Sequence, residues 1–265
     1  MTDSRPSVLT VVLNWRTPEM TLRAAAAALA DMGDRPGGIV IVDNDSRDGS
    51  FERMRAEVAR RGWTAGGRVR VLQAGRNGGF GAGNNVGIRA GLPDGTRPDY
   101  VYILNSDAFP DPGCIGALVR FMEAHPAAGF AGGHVRGEDG QPHTTLFRFP
   151  SIPGAFEMEA RTGPVSRLLK RWVVPLPIPQ APQRVGWVAG ASLMARRAML
   201  DRIGLFDETF FLYYEETDLC LRAARAGWET WYVPEARVVH VGSVSTGMRT
   251  WERVPDYFFA SRRHY

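Results

Sequence analysis

The first part of the chain alternates short apolar runs with segments of helical character, and this alternation restricts the possible folds more than any other feature. Two apolar runs, residues 8–13 and 38–42, flank an alanine-rich segment, Pro18–Met32, that begins with proline. Apolar runs of this length predict buried strands, and proline at the start of such a segment is typical of a helix. Together the three segments predict a β-α-β unit.

The alternation continues to about residue 104. It consists of an amphipathic helix, a strand, a glycine-rich loop leading into a short helix, and a fourth strand, at residues 50–61, 68–73, 75–90 and 100–104. Strands that alternate with helices form a largely parallel sheet, covered on both faces, with ligands at the carboxyl ends of the strands. We therefore expect an α/β fold with a single Rossmann-like, mostly parallel sheet flanked by helices.

The second half is less regular. Glycine and proline punctuate residues 129–164, and the proline-rich residues 175–182 are expected to form an exposed loop or lid. Later elements are predicted as a strand with a tight turn, a short helix, a helix after an acidic segment and two strands, at residues 185–195, 196–203, up to about 227, 231–233 and 238–241. No linker separates the halves, so we expect one domain with two lobes, residues 1–107 and 108–265.

Composition narrows the class of protein. With 265 residues, 44% hydrophobic and 23% charged, the chain has enough apolar content for one large globular core. Its two cysteines, Cys114 and Cys220, lack a disulfide or zinc spacing, which favours a reducing cytoplasm. The first apolar run is too short for a signal peptide or a membrane span. The last residues stop within an aromatic and basic pattern, so we expect the natural chain to continue beyond Tyr265.

The formal net charge of +4 arises partly from two basic clusters. Their members are Arg161, Arg167, Lys170 and Arg171 in the middle of the chain, and Arg262 and Arg263 near its end. Such clusters could contact phosphates, anionic lipid or nucleic acid. A solvated basic surface explains each of them equally well.

Polar side chains follow the predicted strands where each strand ends. In chain order these are Asn14, Asp43, Asn77 and the run Asn105-Ser106-Asp107. The carboxyl ends of parallel strands meet at one edge of the sheet, where amide and carboxylate groups could bind a base, a ribose and phosphates. Any one of these residues alone is a common turn former. Their recurrence at four successive strand ends favours a nucleotide site.

One strand end also predicts a metal ligand. Asp107 suits a hard divalent cation such as Mg²⁺ or Mn²⁺, which takes oxygen ligands and bridges phosphates. Asn105 lowers the negative charge of the same run. His240 could supply a nitrogen ligand, although a lone histidine in a strand is more often structural. Proximity of His240 to Asp107 would decide between these roles.

The glycine-rich loop at residues 76–87 resembles a phosphate cradle, because glycine lets backbone amides approach an anion and a helix follows. The known motifs fail in detail. Asn84 stands where the dinucleotide fingerprint requires glycine, and no Gly-Lys-Ser or Gly-Lys-Thr ends the loop. A dehydrogenase or a P-loop enzyme is therefore disfavoured, which leaves a tight loop that positions Asn77 and the following helix.

An acidic group follows an aromatic run within residues 210–222. It contains Glu215, Glu216 and Asp218. Apolar surroundings make a carboxylate harder to ionise, so these residues are candidates for a general base. The alternative is helix capping, with Asp218 and Arg222 forming an ordinary i,i+4 ion pair.

These features together resemble a family 2 glycosyltransferase with the GT-A fold, of the bacterial rhamnosyltransferase-like branch. The matching stretches are Val11-Val-Leu-Asn14, Val42-Asp-Asn-Asp-Ser46, Asn77-Gly-Gly-Phe-Gly-Ala-Gly-Asn-Asn85, Leu104-Asn-Ser-Asp-Ala108, Gly190-Ala-Ser192, Gly204-Leu-Phe-Asp-Glu208 and Tyr214-Glu-Glu-Thr-Asp-Leu-Cys-Leu-Arg222. Any one stretch is weak evidence. Their order and spacing over nearly the whole chain make the resemblance specific.

The resemblance implies inverting transfer of a sugar from a nucleotide diphosphate to an acceptor hydroxyl, with Mg²⁺ or Mn²⁺ on the diphosphate. The family's Asp-x-Asp element is Asn105-Ser106-Asp107 here, so Asp107 is expected to bind the metal, together with His240, and Asn105 to touch the ribose. Further donor-binding residues are expected to be Asn14, Ser106, Asp43 at the nucleobase, and Asn77 with Asn84 as a frame for the donor.

The family's catalytic base lies in an acidic pair, which corresponds to Glu215 and Glu216. Adjacent helical residues point about 100° apart, so only one of them can face the sugar squarely. We predict Glu216 as the base and leave Glu215 as the alternative. Asp218 is expected to stay paired with Arg222.

The implied partners follow from the same resemblance. The favoured donor is dTDP-rhamnose, with a UDP-sugar as the alternative, and the acceptor is a glycan or a lipid-linked glycan of the cell surface. Residues 1–107 would bind the nucleotide sugar and residues 108–265 the acceptor. We expect a cytoplasmic protein, with peripheral contact to the inner face of the membrane as a further hypothesis, and no nucleic-acid partner.

Two other functions remain open at this stage. A nucleotidyltransferase would also use a parallel sheet and a metal, but it normally shows a basic glycine-rich loop near its N-terminus, which is absent from this sequence. A non-catalytic module that binds sugar nucleotides or glycans would bind donor without transfer or hydrolysis.

Overall fold

The computed structural model describes residues 5–160, 162–242 and 254–265. The elements of the first half are β1 (Val8–Asn14), α1 (Pro18–Met32), β2 (Gly37–Asp43), α2 (Ser50–Arg60), β3 (Val69–Gln73), α3 (Gly79–Ala90) and β4 (Tyr100–Asn105). The strands and helices predicted for this half are present close to their expected bounds. The β-α-β prediction is therefore confirmed.

The first half contributes the parallel part of the central sheet, in the order β3-β2-β1-β4. β1 is the middle strand of this part. Its last residue, Asn14, lies opposite Asp43 of β2, and its neighbour Leu13 lies opposite Asn105 of β4. The carboxyl ends of these strands thus meet at one edge of the sheet, as the alternating pattern predicts.

The second half extends the same sheet with strands of both directions. Its elements are β5 (Ala108–Pro110), α4 (Cys114–Ala124), β6 (Ala128–Arg136), β7 (Pro142–His143), β8 (Leu146–Phe147), α5 (Ile152–Ala160), α6 (Gly163–Leu168), a 3₁₀ turn (Lys170–Trp172), β9 (Gln183–Val185), β10 (Trp187–Val188), β11 (Ser192–Arg196), α7 (Arg197–Ile203), α8 (Glu215–Arg225), β12 (Glu229–His240) and α9 (Asp256–His264). The sheet continues from β4 in the order β11-β6-β12-β5. β11 is antiparallel to both neighbours, whereas β6 and β12 are parallel.

Two predictions for the second half were wrong. Residues 129–164, expected to be irregular, contain the central strand β6 and helix α5. The two strands predicted at 231–233 and 238–241 are one strand, β12, whose register against β6 shifts between Val233 and Arg237. Pro234 lies within that shift, and proline has no N–H to donate to a ladder, so the strand bulges there and continues.

Apolar side chains pack on both faces of the sheet. Val8 belongs to the core that packs against α1, α2 and α4, and its neighbour Leu9 belongs to the core under α3, α7 and α8. This follows from the alternation of side chains along a strand. It also explains why the first strands are continuously apolar, since both faces are buried.

The exposed parts of the chain include the basic residues of α6 and its neighbouring turn. Arg167, Lys170 and Arg171 are exposed, while Arg161 lies outside the described residues. Residues 175–182 form a largely exposed loop, as predicted, with Leu176 as a buried anchor. Across the described ranges, no helix combines the length and apolarity that crossing a membrane requires.

Candidate active site

A cavity of about 680 Å³ opens at the sheet edge where the first strands end. Its polar lining comes from the ends of β2 and β4, the loop before α3, the start of α8 and the end of β12. The polar and charged residues that line it include Asn44, Asn77, Asn105, Ser106, Asp107, His143, Glu215, Glu216 and His240. The cavity therefore brings most of the sequence-predicted site residues together.

The predicted metal ligands meet in this cavity. Nε2 of His240 lies 3.1 Å from Oδ1 of Asp107 and 3.4 Å from Nδ2 of Asn105. β12 carries His240 to this point by pairing with β5, where His240 is opposite Ala108. The Asp107 side chain is only 4% exposed. The proximity that the sequence required for a ligand role of His240 is present.

The chemistry of this pair suits a divalent cation bound to a diphosphate. Over the residues that the structure describes, no group of three or more His, Cys, Asp and Glu side chains is arranged around a metal position. Two protein ligands, a carboxylate and an imidazole, would leave the other positions to phosphate oxygens and water, an arrangement that hard cations accept. The residues present therefore fit such a cation.

Asn14 and Asp43 do not line the cavity. The Asn14 amide donates to Asp43 at 2.7 Å and to the Ser46 hydroxyl at 3.1 Å. Asp43 also accepts from the hydroxyl of Ser46 at 2.6 Å and from its backbone N–H at 3.1 Å. Asp43 is 1% exposed. In this structure both residues tie together the ends of β1 and β2. The contact of Asp43 with a nucleobase and the contact of Asn14 with the donor stay predictions.

Asn44 lines the cavity instead, and the sequence reasoning missed it. Its amide donates to Oδ1 of Asn77 at 2.9 Å and to the carbonyl of Gly79 at 3.2 Å. Its Oδ1 is buried and has no hydrogen-bond partner in the described ranges. The signal was the strand period, because successive side chains face opposite sides and only one of Asp43 and Asn44 can face the cavity.

The predicted donor residue Asn84 lies behind the cavity wall. It is fully buried on α3, and its amide donates to the carbonyl of Phe80 at 3.0 Å. The next residue, Asn85, joins α3 to the segment before α8 through Phe206, whose N–H and carbonyl both bond its side chain. Asn84 would therefore not contact a donor directly, and it could affect donor binding only by fixing the position of α3.

The acidic pair begins helix α8. Glu215 is 2% exposed, whereas Glu216 is only partly buried and lies beside Gly190 in the wall of the cavity. Burial raises the pKa of both carboxyls, and the charge of Glu216 raises the pKa of Glu215 further. Each residue has an Oε2 that is shielded from solvent without a hydrogen-bond partner among the described residues. Such an oxygen is an unused acceptor, as a base requires.

The rest of the acidic group is structural. Asp218 accepts from Nε of Arg222 at 2.8 Å, which confirms the predicted i,i+4 pair. The Arg222 guanidinium also donates to the carbonyls of Ile203 and Leu205 at 2.8 Å each. Arg222 therefore anchors α8 to the end of α7, and Asp218 pairs with this guanidinium.

The chain reaches α8 through an unusual backbone. Tyr213 and Tyr214 have φ of 70° and 73°, in the left-handed region that side-chain-bearing residues disfavour. Just before them, the carbonyl of Phe211 accepts from the N–H of Phe80 at 2.9 Å. Gly79, with φ of 87°, approaches that carbonyl so closely that an added Cβ would lie 1.8 Å from its oxygen. The glycine loop thus docks against the segment that orients the acidic pair.

Aromatic rings line the side of the cavity away from the sheet edge. Phe147 and Trp187 stack with ring centroids 4.1 Å apart, and both line the cavity. The Trp187 indole donates to the carbonyl of Arg148 at 3.0 Å. Sequence reasoning did not single out these residues because aromatic side chains more often fill a core.

A family model described as glycosyltransferase like family 2 matches residues 6–264. The chain belongs to glycosyltransferase family 2. The family resemblance predicted from the motifs is confirmed.

Two curated relatives of this family 2 glycosyltransferase are rhamnosyltransferases. It is 34% identical over 281 residues to the N-acetylglucosaminyl-diphospho-decaprenol L-rhamnosyltransferase of Mycobacterium tuberculosis, covering 100% of this chain and 86% of that protein. It is 27% identical over 165 residues to rhamnosyltransferase WbbL of Escherichia coli, covering 61% of this chain and 60% of WbbL. The rhamnosyltransferase-like branch is thereby supported.

Solved structures confirm the GT-A fold. GalNAc-T7 with UDP, GalNAc and Mn²⁺ matches with a TM-score of 0.65 at 14% identity, over 90% of this chain and 44% of that chain. The mannosyltransferase PcManGT of Pyrobaculum calidifontis with GDP-Man and Mn²⁺ matches with a TM-score of 0.61 at 16% identity, over 98% and 69%. The predicted α/β class and the enzyme class, a glycosyltransferase, are both confirmed.

Proposed function

We propose that this glycosyltransferase transfers rhamnose, with inversion, from dTDP-rhamnose to a hydroxyl of a lipid-linked glycan. One observation carries the proposal: the unpartnered Oε2 of Glu216 and the Asp107–His240 pair belong to a single cavity. The choice of sugar and of a lipid-linked acceptor rests on the activity for which the Mycobacterium relative is named. A UDP-sugar is the alternative donor.

The proposed reaction needs one proton transfer on the protein. Glu216 would accept the proton of the acceptor hydroxyl. The oxygen of that hydroxyl would attack the anomeric carbon of the donor sugar from the face opposite the diphosphate. The new glycosidic bond forms as the bond from the anomeric carbon to the phosphate oxygen breaks, and the nucleoside diphosphate leaves. The Oε2 of Glu216 has no hydrogen-bond partner among the described residues, so no protein donor there competes with the acceptor hydroxyl for it.

The donor end would be held by the strand ends. Asp107 and His240 are the residues that would bind Mg²⁺ or Mn²⁺, and Asn105 lies within reach of the ribose next to them. When bound, such a cation neutralises the charge that develops on the leaving diphosphate. Asn44, held by Asn77, lines the cavity beside these residues and is a further candidate for contact with the nucleotide.

Donor binding tests the proposal directly. At about 100 times Kd, dTDP-rhamnose with Mn²⁺ is expected to stabilise the protein by about 2.7 kcal/mol. For a chain of this size that is a rise in Tm of roughly 5–10 °C in a thermal-shift assay. The rise in Tm is expected to be larger with Mn²⁺ than without it, and Asp107→Asn should remove most of this difference. Asp218→Asn is the matched control, because it makes the same change outside the cavity.

The proposal has three distinguishable failures. A rise in Tm that is the same with and without cation, and unchanged in Asp107→Asn, would contradict the metal role. Transfer to a lipid-linked N-acetylglucosamine acceptor is measured by mass spectrometry. Donor binding without such transfer would favour a non-catalytic module. Release of pyrophosphate would favour a nucleotidyltransferase.

The pH dependence of transfer follows from the buried base. Glu216 must be ionised to accept a proton, and burial raises its pKa above the usual glutamate value of 4.5. Because the active form is the deprotonated one, kcat/KM should fall as the pH drops through this raised pKa. A pH-rate profile should therefore show an acid limb with its midpoint above 4.5. An acid limb at or below that value would contradict Glu216 as the base.

A further inference from the structure

One surface of the molecule carries large apolar side chains that nothing in the described chain covers. The three most exposed of these are Ile152 at 88%, Leu168 at 82% and Phe156 at 62%. All three belong to the hairpin formed by α5, α6 and the 3₁₀ turn, residues 148–174. Large contiguous apolar exposure of this kind marks an interaction surface.

The hairpin is held at its base and is open along its length. The guanidinium of Arg148 donates to the carbonyl of Val173 at 2.7 Å, and the backbone N–H of Arg148 donates to the carbonyl of Val174 at 2.8 Å. Beyond this closure α6 and the 3₁₀ turn have no buried residue. On α5, Ile152 and Phe156 are four residues apart and so lie on one face.

The charge of the hairpin is complementary to an anionic surface. Residues 148–174 contain five arginine or lysine residues and two glutamates. Both glutamates already have partners: Glu157 accepts from the Ser166 hydroxyl at 2.6 Å, and Glu159 pairs with Arg262 of α9 at 3.6 Å. Arg167, Lys170 and Arg171 are exposed beside Leu168.

The base of the hairpin lies at the mouth of the active-site cavity. Phe147, which is the last residue of β8 and directly precedes the hairpin, lines the cavity, stacks on Trp187 and bridges to Pro175, which directly follows the hairpin. Exposed apolar side chains flanked by basic residues are the pattern of segments that insert into the interface of a bilayer. A surface that held the hairpin would thus face the acceptor side of the cavity.

We propose that the hairpin of residues 148–174 docks the enzyme on a bilayer that contains anionic lipid, with Ile152, Phe156 and Leu168 inserted between the headgroups and the basic residues beside phosphates. This proposal extends the proposed function and depends on it only for the lipid-linked nature of the acceptor. Docking at this place would hold the acceptor's headgroup, at the membrane surface, next to Phe147 and Trp187. No described residue of the hairpin lines the cavity.

Vesicle binding by the full chain tests the docking surface. Wild type should co-sediment with phosphatidylcholine vesicles that contain about 30% phosphatidylglycerol, and much less with phosphatidylcholine alone; added salt should release it. Replacing Ile152, Phe156 and Leu168 by serine should lower the partition coefficient by about tenfold or more per residue. Replacing Arg167, Lys170 and Arg171 by glutamine should lower it by about fivefold per residue.

A matched control and a second readout keep the outcomes separate. Val254→Ser changes an apolar residue that is 40% exposed outside the hairpin, and it should bind vesicles like wild type. On a water-soluble acceptor with a short alkyl chain, the serine variant should transfer sugar at the wild-type rate, whereas on acceptor embedded in vesicles it should be slower by tenfold or more. The two acceptors should differ in this way because docking affects how often the enzyme meets membrane-embedded acceptor and does not affect the transfer step itself.

Three outcomes would overturn the proposal. They are failure of wild type to bind the anionic vesicles, equal binding by the serine variant, and a dimer of wild type that the serine substitutions dissociate without changing vesicle binding. The last result would assign the hairpin to a second copy of the chain. Absence of transfer to both acceptors would instead contradict the proposed function, while vesicle binding would still report on the hairpin.

Discussion

Glu216→Gln is expected to lower kcat for sugar transfer by about 10²–10⁴-fold, because it removes the proposed base and keeps the shape of the side chain. Donor affinity should change little, since the strand-end residues and the Asp107–His240 pair are untouched. The measurement is kcat at saturating donor, together with donor affinity by calorimetry. A fall in donor affinity as large as the fall in kcat would point to misfolding of the site.

Two controls make this result specific. Asp218→Asn makes the same carboxylate-to-amide change on the same helix, where the residue pairs with Arg222, and should keep kcat within about tenfold. Glu215→Gln tests the other member of the pair, which is 2% exposed and should retain more transfer than Glu216→Gln. The reverse pattern, with Glu215→Gln inactive and Glu216→Gln active, would assign the base to Glu215.

Glu216→Gln is also expected to raise the thermal stability of the protein. A carboxyl whose pKa is raised in the folded state binds its proton more tightly there, so its contribution to stability is lost as the pH rises from 4.5 through the raised pKa. At neutral pH the buried charge is therefore destabilising, and glutamine removes it. We expect a rise in Tm of at least about 2 °C near pH 7, which shrinks as the pH falls towards 4.5.

The fold was predictable where local pattern and tertiary environment agree. β1 to β4 are buried on both faces, so their sequences are continuously apolar, and α1 has a proline start and an alanine-rich body. β6 escaped prediction because three of its nine residues are glycine, which resembles a loop. An added Cβ on Gly133 would lie 2.0 Å from the carbonyl oxygen of Ala236. Gly133 therefore records a close approach by β12, and no local pattern reveals it.

The site was predictable to the level of strand ends and no further. The sequence predicted that Asp107 belongs to the nucleotide edge, but only the pairing of β12 with β5 brings His240 to 3.1 Å from it across 133 positions. The choice between Asp43 and Asn44 depends on which face of the sheet the cavity occupies. The left-handed backbone of Tyr213 and Tyr214 runs against the preference of tyrosine, so only the surrounding packing can impose it.

Gly79→Ala is expected to be the most damaging substitution in the glycine loop. Its φ of 87° is unfavourable for alanine, and the new Cβ would overlap the carbonyl oxygen of Phe211 at 1.8 Å. Strain and overlap together should cost about 3 kcal/mol or more, a fall in Tm of roughly 6–12 °C. The same displacement should move the start of α8, so transfer at low temperature should fall by up to about 100-fold.

Gly75→Ala is the matched control for this prediction. Gly75 lies in the same loop with φ of 79°, but an added Cβ there meets nothing within 4 Å. It should therefore show the backbone strain alone, about 1 kcal/mol, with little effect on kcat. The excess effect of Gly79→Ala measures the contact between the loop and the segment before α8. Equal losses of Tm and kcat in the two variants would show that this contact does not orient Glu216, and the hydrogen bond from Phe80 to Phe211 would then be a stabilising contact without a catalytic role.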